Sequence, residues 1–248
     1  MMERIFRKIA FAGFFGCTAS AVSAQSASSD LWTGFYGGGA ASFGMFQSET
    51  FDHWCKVSCE DANLSETGGA VGVTLGYDMQ VGSLVVGGIA DYMIGNFETE
   101  NVVGSFQIDN PVSPSDRYAS YTQSKWESIA TLRARVGVPI DRSLIYVSGG
   151  LASVDVSYRQ DGNFGPDAVP GGYKPYSGRE TGFAAGVGIE HAFTDQLSFS
   201  AEYLYVGLPS VNGGQFFNDF SDDGPSEESS VKYSSNAQLI RVGANWRF

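Results

Sequence analysis

The sequence predicts an all-β protein, a transmembrane eight-stranded antiparallel up-and-down β-barrel, and three observations predict it. Apolar residues recur at every second position over eight long segments. The connections between those segments alternate between short and long. The opposite faces of the same segments carry arginines and carboxylates, in a chain that opens with an export leader. A period of two marks strands, because successive side chains point to opposite faces. An even strand number with short turns at one end and long loops at the other is the layout of bacterial outer-membrane barrels, whose apolar face touches lipid and whose polar face lines the interior.

The N-terminus places Arg4, Arg7 and Lys8 before an apolar run over residues 9–17, followed by Val22-Ser23-Ala24. That is the plan of a secretory signal peptide over residues 1–24, with cleavage expected after Ala24 and a barrel domain over 25–248. The run is well short of the ~18 residues that a spanning helix needs. Acylation at Cys17 ranks second, because Phe14-Phe15-Gly16 departs from the small-residue pattern that precedes a lipoprotein cysteine. The chain carries 15 Lys+Arg and 27 Asp+Glu, a formal charge of −12; losing the leader removes three cations and one anion, leaving −14. So acidic a chain is no nucleic-acid binder, since phosphate contacts need a basic surface. The mean hydropathy of −0.09 resembles that of a soluble protein. Alternation averages hydropathy away, so this value does not argue against membrane strands.

The elements follow in order. The first segment, 33–46, sets Phe35, Ala41, Phe43 and Met45 on one face among glycines; the second, 67–79, alternates Val71, Val73, Leu75 and Tyr77 with Gly72, Thr74, Gly76 and Asp78. The third, 83–96, opposes Leu84, Val86, Ala90, Tyr92 and Ile94 to Asp91, and the fourth, 125–138, opposes Trp126, Ala130, Leu132, Ala134, Val136 and Val138 to Glu127, Thr131, Arg133 and Arg135. The fifth, 143–158, is apolar on both faces, which leaves its register open. The sixth, 179–193, sets Phe183, Ala185, Val187, Ile189 and Phe193 against Glu180 and Glu190; the seventh, 196–207, sets Leu197, Phe199, Ala201, Tyr203 and Tyr205 against Glu202. The last, from Gln238, sets Ile240, Val242, Ala244, Trp246 and Phe248 against Arg241, Asn245 and Arg247. Each is long for a soluble strand and near or above the ~9–11 residues that cross a bilayer tilted. Tight turns fall at 80–82, 139–142 and 194–195, and the long connections at 47–66, 97–124, 159–178 and 208–234 read as solvated loops. Both termini are then expected on the periplasmic side.

A soluble ligand-binding barrel would show the same periodicity with the faces exchanged. Three details oppose it: glycines share the charged face, aromatics crowd the ends of the apolar bands, and Phe248 ends the chain. Phe35, Tyr77, Tyr92, Trp126, Phe193, Phe199, Tyr203 and Trp246 suit girdles at the two lipid–water interfaces. The expected lumen charges are Asp78, Asp91, Glu127, Arg133, Arg135, Glu180, Glu190, Glu202, Arg241 and Arg247. Mixed signs at close quarters favour a pairing network, because an unpaired confined charge is costly. A narrow channel for small solutes is the alternative, but eight strands leave a bore that side chains fill.

Trp32-Thr33-Gly34-Phe35-Tyr36-Gly37-Gly38-Gly39 resembles the first strand of the Gram-negative outer-membrane immunogenic proteins, relatives of the OmpA-type and opacity-type barrels. Residues 241–248 resemble their final strand, and Gly186-Val187-Gly188-Ile189-Glu190 with Ala201-Glu202-Tyr203 their sixth and seventh. The resemblance implies a surface-exposed antigen with a role in envelope integrity or host contact, amid lipid and lipopolysaccharide. It also implies that Val242, Ala244, Trp246 and Phe248 form the signal read by the barrel-assembly machinery, and that no peptidoglycan-binding module follows.

Little else suggests chemistry. Cys55 and Cys59 are expected to form a local disulfide in an oxidising compartment. With His53 and Glu60 or Asp61 they could instead hold a metal, but no strong zinc signature is present. His53 and His191 are the only histidines, and neither sits in a recognisable triad, so no catalytic residue and no cofactor is expected. Asp219, Asp222, Asp223, Glu227 and Glu228 form an acidic stretch near Phe216, Phe217 and Phe220. It could bridge divalent cations to lipopolysaccharide, yet it lacks the spacing of a calcium loop and reads first as a solvated segment.

Overall fold

The computed structural model describes residues 31–52, 62–107, 117–164, 169–218 and 230–248. They form nine strands: β1 (Gly34–Asp52), β2 (Ala62–Val81), β3 (Leu84–Gln107), β4 (Arg117–Ile140), β5 (Ser143–Phe164), β6 (Val169–Ala192), β7 (Leu197–Gly207), β8 (Val211–Asn218) and β9 (Ser230–Arg247). Every pairing is antiparallel, and β1 pairs with β9 from Tyr36↔Arg247 to Asp52↔Val231, which closes the sheet. β7 and β8 are two halves of one stave. Both pair with β6 on one side and β9 on the other, and the break at Leu208-Pro209-Ser210 includes a residue that has no N–H to give a ladder. The result is a closed eight-stave barrel, and the described residues contain no helix.

The tight turns lie where the sequence places them. Gly82 (φ 61°) and Asp141 (φ 51°) take the left-handed conformation that two-residue hairpins demand. In the third turn the Leu197 N–H donates to Thr194 Oγ1 at 2.9 Å. Gly34 sits opposite Asp78 and Arg247 opposite Tyr36, so the first described strand begins and the last one ends at this turn end of the barrel.

At the other end the strands outrun the sequence expectation. Much of 47–66, 97–124 and 159–178 is paired strand rather than loop, with β3–β4 pairs reaching Gln107↔Arg117 and β5–β6 pairs reaching Phe164↔Val169. The periodicity signal stops earlier because it measures burial contrast between faces. Where both faces are polar, backbone pairing continues without leaving a hydropathy pattern.

One register change corrects two expectations. Trp126 pairs with Val156 and Ser128 with Asp155, so Glu127 is the extra residue of a β-bulge, and two residues of β4 oppose one of β5. The bulge turns Trp126 into the interior, fully buried, instead of into an aromatic girdle. It also turns Glu127 outward, its side chain 62% exposed and 3.9 Å from Lys125, instead of into the lumen.

Elsewhere the outward band follows the alternation. Phe43, Val73, Leu75, Ile94, Leu132, Val147, Leu151, Val187, Ile240 and Val242 all project from the barrel, and of the named girdle aromatics every one but Trp126 is exposed. The register of the fifth segment is settled: Ile145, Val147 and Leu151 face out, while Leu144, Tyr146, Ala152, Val154, Val156 and Tyr158 face in. From Ala130 to Ile140 the β4 stave presents only apolar residues outward at alternate positions, ~33 Å along the strand and ~25 Å at a typical tilt. Above that band the outward residues become Asn96, Lys125, Glu127, Asp155 and Arg179.

Candidate functional site

The interior is stacked in tiers. At the turn end Trp32, Val85, Leu144, Tyr146 and Ala192 form a small apolar cluster. Above it lie two charged tiers. Toward the loop end a larger apolar cluster includes Phe46, Phe97, Trp126, Tyr158, Tyr233 and Leu239.

The lower charged tier joins Arg135 and Arg247 to Asp78 and Glu190. Arg135 donates from Nε to Asp78 Oδ1 at 3.1 Å, from Nη2 to Asp78 Oδ2, and from Nη1 to Glu190 Oε2 at 2.7 Å. Arg247 donates to Asp78 Oδ2 at 3.2 Å and to the Trp32 carbonyl at 2.7 Å. Ser198 and Asn245 donate to Glu190 Oε1. The guanidinium of Arg135 lies 5.1 Å from the Tyr36 ring centroid and 4.9 Å from that of Tyr146, so aromatic faces solvate the flanks that carboxylates leave open.

The upper tier is a closed ring of alternating sign. Arg133 meets Asp91 at 2.8 Å and Glu202 at 2.6 Å; Arg241 meets the same two carboxylates from the other side, at 3.1 Å for Glu202. Thr74, Thr131 and Ser148 hydroxyls fill remaining acceptor positions on Asp91 and Glu202. All eight charged side chains are buried. Four arginines balance four carboxylates, because Glu127 faces outward and Glu180 lies half-buried at the rim, accepting the Tyr176 hydroxyl.

Glycines on the inner face make this packing possible. A Cβ on Gly76 would lie 2.2 Å from the Tyr36 ring, and one on Gly188 would lie 2.7 Å from the Tyr146 ring. A void of ≈ 10 Å³ between the tiers has about the space of one water. A wider cavity of ≈ 440 Å³ opens at the turn-end mouth, lined by Trp32, Gln80, Arg142, Asp195, Arg247 and Phe248 among others.

Sequence reasoning missed Tyr36, Tyr146, Trp32 and Ser198 as members of these tiers. Their inward parity was the available signal, but hydropathy alone does not mark an aromatic ring as a partner for arginine. Val242, Ala244, Trp246 and Phe248 project outward from β9 as a continuous row. His191 is exposed near a turn, its Nδ1 2.9 Å from Ser143 Oγ, and no carboxylate bonds to it among the described residues. At the loop-end rim Arg179 clasps Asp155 through two bonds, at 2.9 and 3.1 Å, and Ser128 adds a third at 2.7 Å. The Arg179 bonds, then that of Ser128, hold the Asp155 carboxyl below its usual range. Ala24, His53, Cys55, Cys59, Glu60, Asp61 and the acidic residues of 219–228 lie outside the described residues.

An apolar girdle outside and compensated charge inside define an integral β-barrel of the outer membrane. The chain belongs to the outer membrane protein beta-barrel domain family, whose model matches residues 15–248. Among solved structures it is similar to Ail, the attachment invasion locus protein of Yersinia pestis, at 16% identity and a TM-score of 0.34, over 87% of this chain and 99% of that one. It is also similar to the Neisserial surface protein A, at 14% identity and a TM-score of 0.38 over 87% and 98%. The outer membrane protease OmpT of Escherichia coli matches at 9% identity and a TM-score of 0.46 over 86% and 97%. No curated protein sequence matches the chain.

Proposed function

We propose that this chain is a non-enzymatic, non-conducting surface protein whose barrel anchors an outward-projecting sheet for contact with envelope or host components. The observation that carries this reading is the filled bore: two compensated charge tiers, with a void of ≈ 10 Å³ between them, are stacked between two apolar clusters. A solute path would require separating buried ion pairs, and breaking such a pair costs about 3–5 kcal/mol. The isolated Ser143–His191 pair offers a base no orienting carboxylate among the described residues, which speaks against hydrolysis.

In this reading the leader is cleaved after Ala24, and the termini and tight turns face the periplasm. Extension of β3–β6 well past the apolar band supports an extracellular role for the loop end. The exposed row Val242, Ala244, Trp246, Phe248 serves recognition by the assembly machinery, and the outer band contacts lipid and lipopolysaccharide. Cys55 and Cys59 close a small disulfide loop outside the cell. Purified protein in planar bilayers should give no stable conductance steps and no liposome swelling with small sugars. Reproducible, long-lived steps would overturn the reading.

A further inference from the structure

The barrel is closed within the apolar band but not above it. β2 and β3 pair only from Val81↔Leu84 to Gly69↔Asn96. Beyond that point β2 still runs over residues 62–68, paired with β1 on its other side, and β3 still runs over residues 97–107, paired with β4 on its other side. No described strand pairs with either on the facing edge. Two strand edges therefore border one seam, and the longer one spans ~36 Å of extended backbone. Other neighbouring staves pair beyond the band: β4–β5 to Ala119↔Asn163, β5–β6 to Phe164↔Val169 and β1–β9 to Asp52↔Val231, while β6 leaves β7 at Phe183↔Gly207 and is paired again by β8 from Tyr173↔Phe216 to Gly171↔Asn218.

An open edge is a row of unpaired N–H and C=O groups, a template for another strand. Its depth is set by the residues around it. Asn96 sits outward where the pairing ends, level with the polar rim, so the edge stands in water. Its charge is acidic: Glu66 borders the seam on β2, and Glu98 and Glu100 occupy alternate positions on β3. Glu98 has its outward neighbour Lys125 on β4, and Gln123 Nε2 donates to it at 2.6 Å, both from the side away from the seam.

We propose that the free edge of β3 over residues 97–107 is a strand-addition site for an extended, cationic polypeptide segment of another protein. This rests on the surface-contact reading above and names the class of partner. Backbone hydrogen bonds to β3 supply affinity, and lysine or arginine at every second position, on the face that Glu98 occupies, supplies selectivity through cross-strand pairing. A second copy of this chain fits poorly. Two copies in one membrane related by an axis along its normal would bring β3 edges together in parallel and set Glu98 against its equivalent, and like charges opposed across strands destabilise.

The probe is a fluorescent ten-residue peptide of alternating Lys and Val, titrated against the full protein in lipid nanodiscs by anisotropy. Two N-methylated versions carry the methyls on opposite alternating amide sets. Because alternate N–H groups of a strand point to opposite sides, only one version loses the bonds to β3; it should bind at least about tenfold more weakly, the other near the parent. A Glu-Val peptide should bind weakly, and Glu98→Lys with Glu100→Lys should reverse the preference between the two peptides. Absence of binding, equal sensitivity to both methylation sets, or an unchanged preference in the charge-reversed protein would overturn the proposal, as would a peptide-displaceable dimer. The methylation comparison needs only the native protein, so it decides the matter even if the double variant fails to fold. Conductance of the same preparation separates the two ideas: a conducting barrel sinks the surface-contact reading, whereas a silent barrel that ignores the peptide sinks only the seam.

Discussion

At the scale of single residues, the protein places its most strongly charged side chains in its least accessible region. Four arginines lie buried in the barrel, each bonded to at least one carboxylate. Arg133 is the most exacting, 1% exposed and bound to both Asp91 and Glu202. Removing it strands two buried carboxylates with one remaining guanidinium, Arg241, so Arg133→Met should lower stability by about 3–5 kcal/mol. Removing a matched pair is a different perturbation: Arg133→Met with Asp91→Asn leaves Arg241 facing Glu202. The double variant should therefore lose clearly less than the sum of the two single losses. Urea unfolding in lipid vesicles, followed by tryptophan fluorescence, measures all three. Additive losses would mean that the ring does not act as a unit. These charges were legible in the sequence because arginines at alternate positions of an apolar strand have few places to go. The pairing was less so: Asp78 and Glu190, already expected on the inner face, come level with Arg135 only once the register joins staves more than 50 residues apart in the chain.

At the scale of an element, the β4 bulge shows what a period of two does not report. Alternation from Ala130 to Val138 is regular and places each residue correctly, but one extra residue reverses the parity of everything before it. The sequence around Lys125-Trp126-Glu127 contains no glycine or proline to flag the irregularity. Its cause is tertiary: reversal carries Trp126 into the cluster with Phe46, ring centroids 5.1 Å apart, and lets its indole N–H donate to Ser235 Oγ at 3.2 Å. It also keeps Lys125 and Glu127 on the wet outer rim. Single-tryptophan variants report this directly. Trp126 should resist quenching by brominated lipid, while Trp246, exposed on β9, should be quenched. Deleting Glu127 removes the extra residue but leaves Trp126 opposite Val156 beside Ser128 opposite Asp155, so Trp126 should stay inward and unquenched. Strong quenching of Trp126 in the native protein would show that the bulge is absent.

At the scale of the whole molecule, stability and contact are separated along the barrel axis. Closure, both charge tiers and the larger apolar cluster all lie at or below the level of Phe97, Trp126 and Tyr158. Above that level the staves form a sheet held by backbone pairing, and the β2–β3 seam breaks its circuit. The sequence displayed the lower region because lipid outside and packed charge inside impose opposite demands on neighbouring residues. It concealed the upper region because water bathes the outer face there and imposes no such contrast; strand was mistaken for loop where only hydrogen bonds define it. This division makes a strong prediction about the β3–β4 hairpin. Replacing residues 101–122 with a two-residue Asn-Gly turn shortens the hairpin to the pair Glu100↔Gln123, leaving the bulge, the ring of Asp91, Arg133, Glu202 and Arg241, and the Phe97–Trp126 contacts intact. A type I′ turn matches the twist of the flanking strands, so the shortened protein should refold into lipid and keep its heat-dependent gel mobility, with an unfolding midpoint in urea close to that of the parent. The same change removes most of the free β3 edge, so binding of the Lys-Val peptide should fall to background. A shortened protein that fails to refold would place stabilising contacts in the projecting sheet and contradict the division argued here.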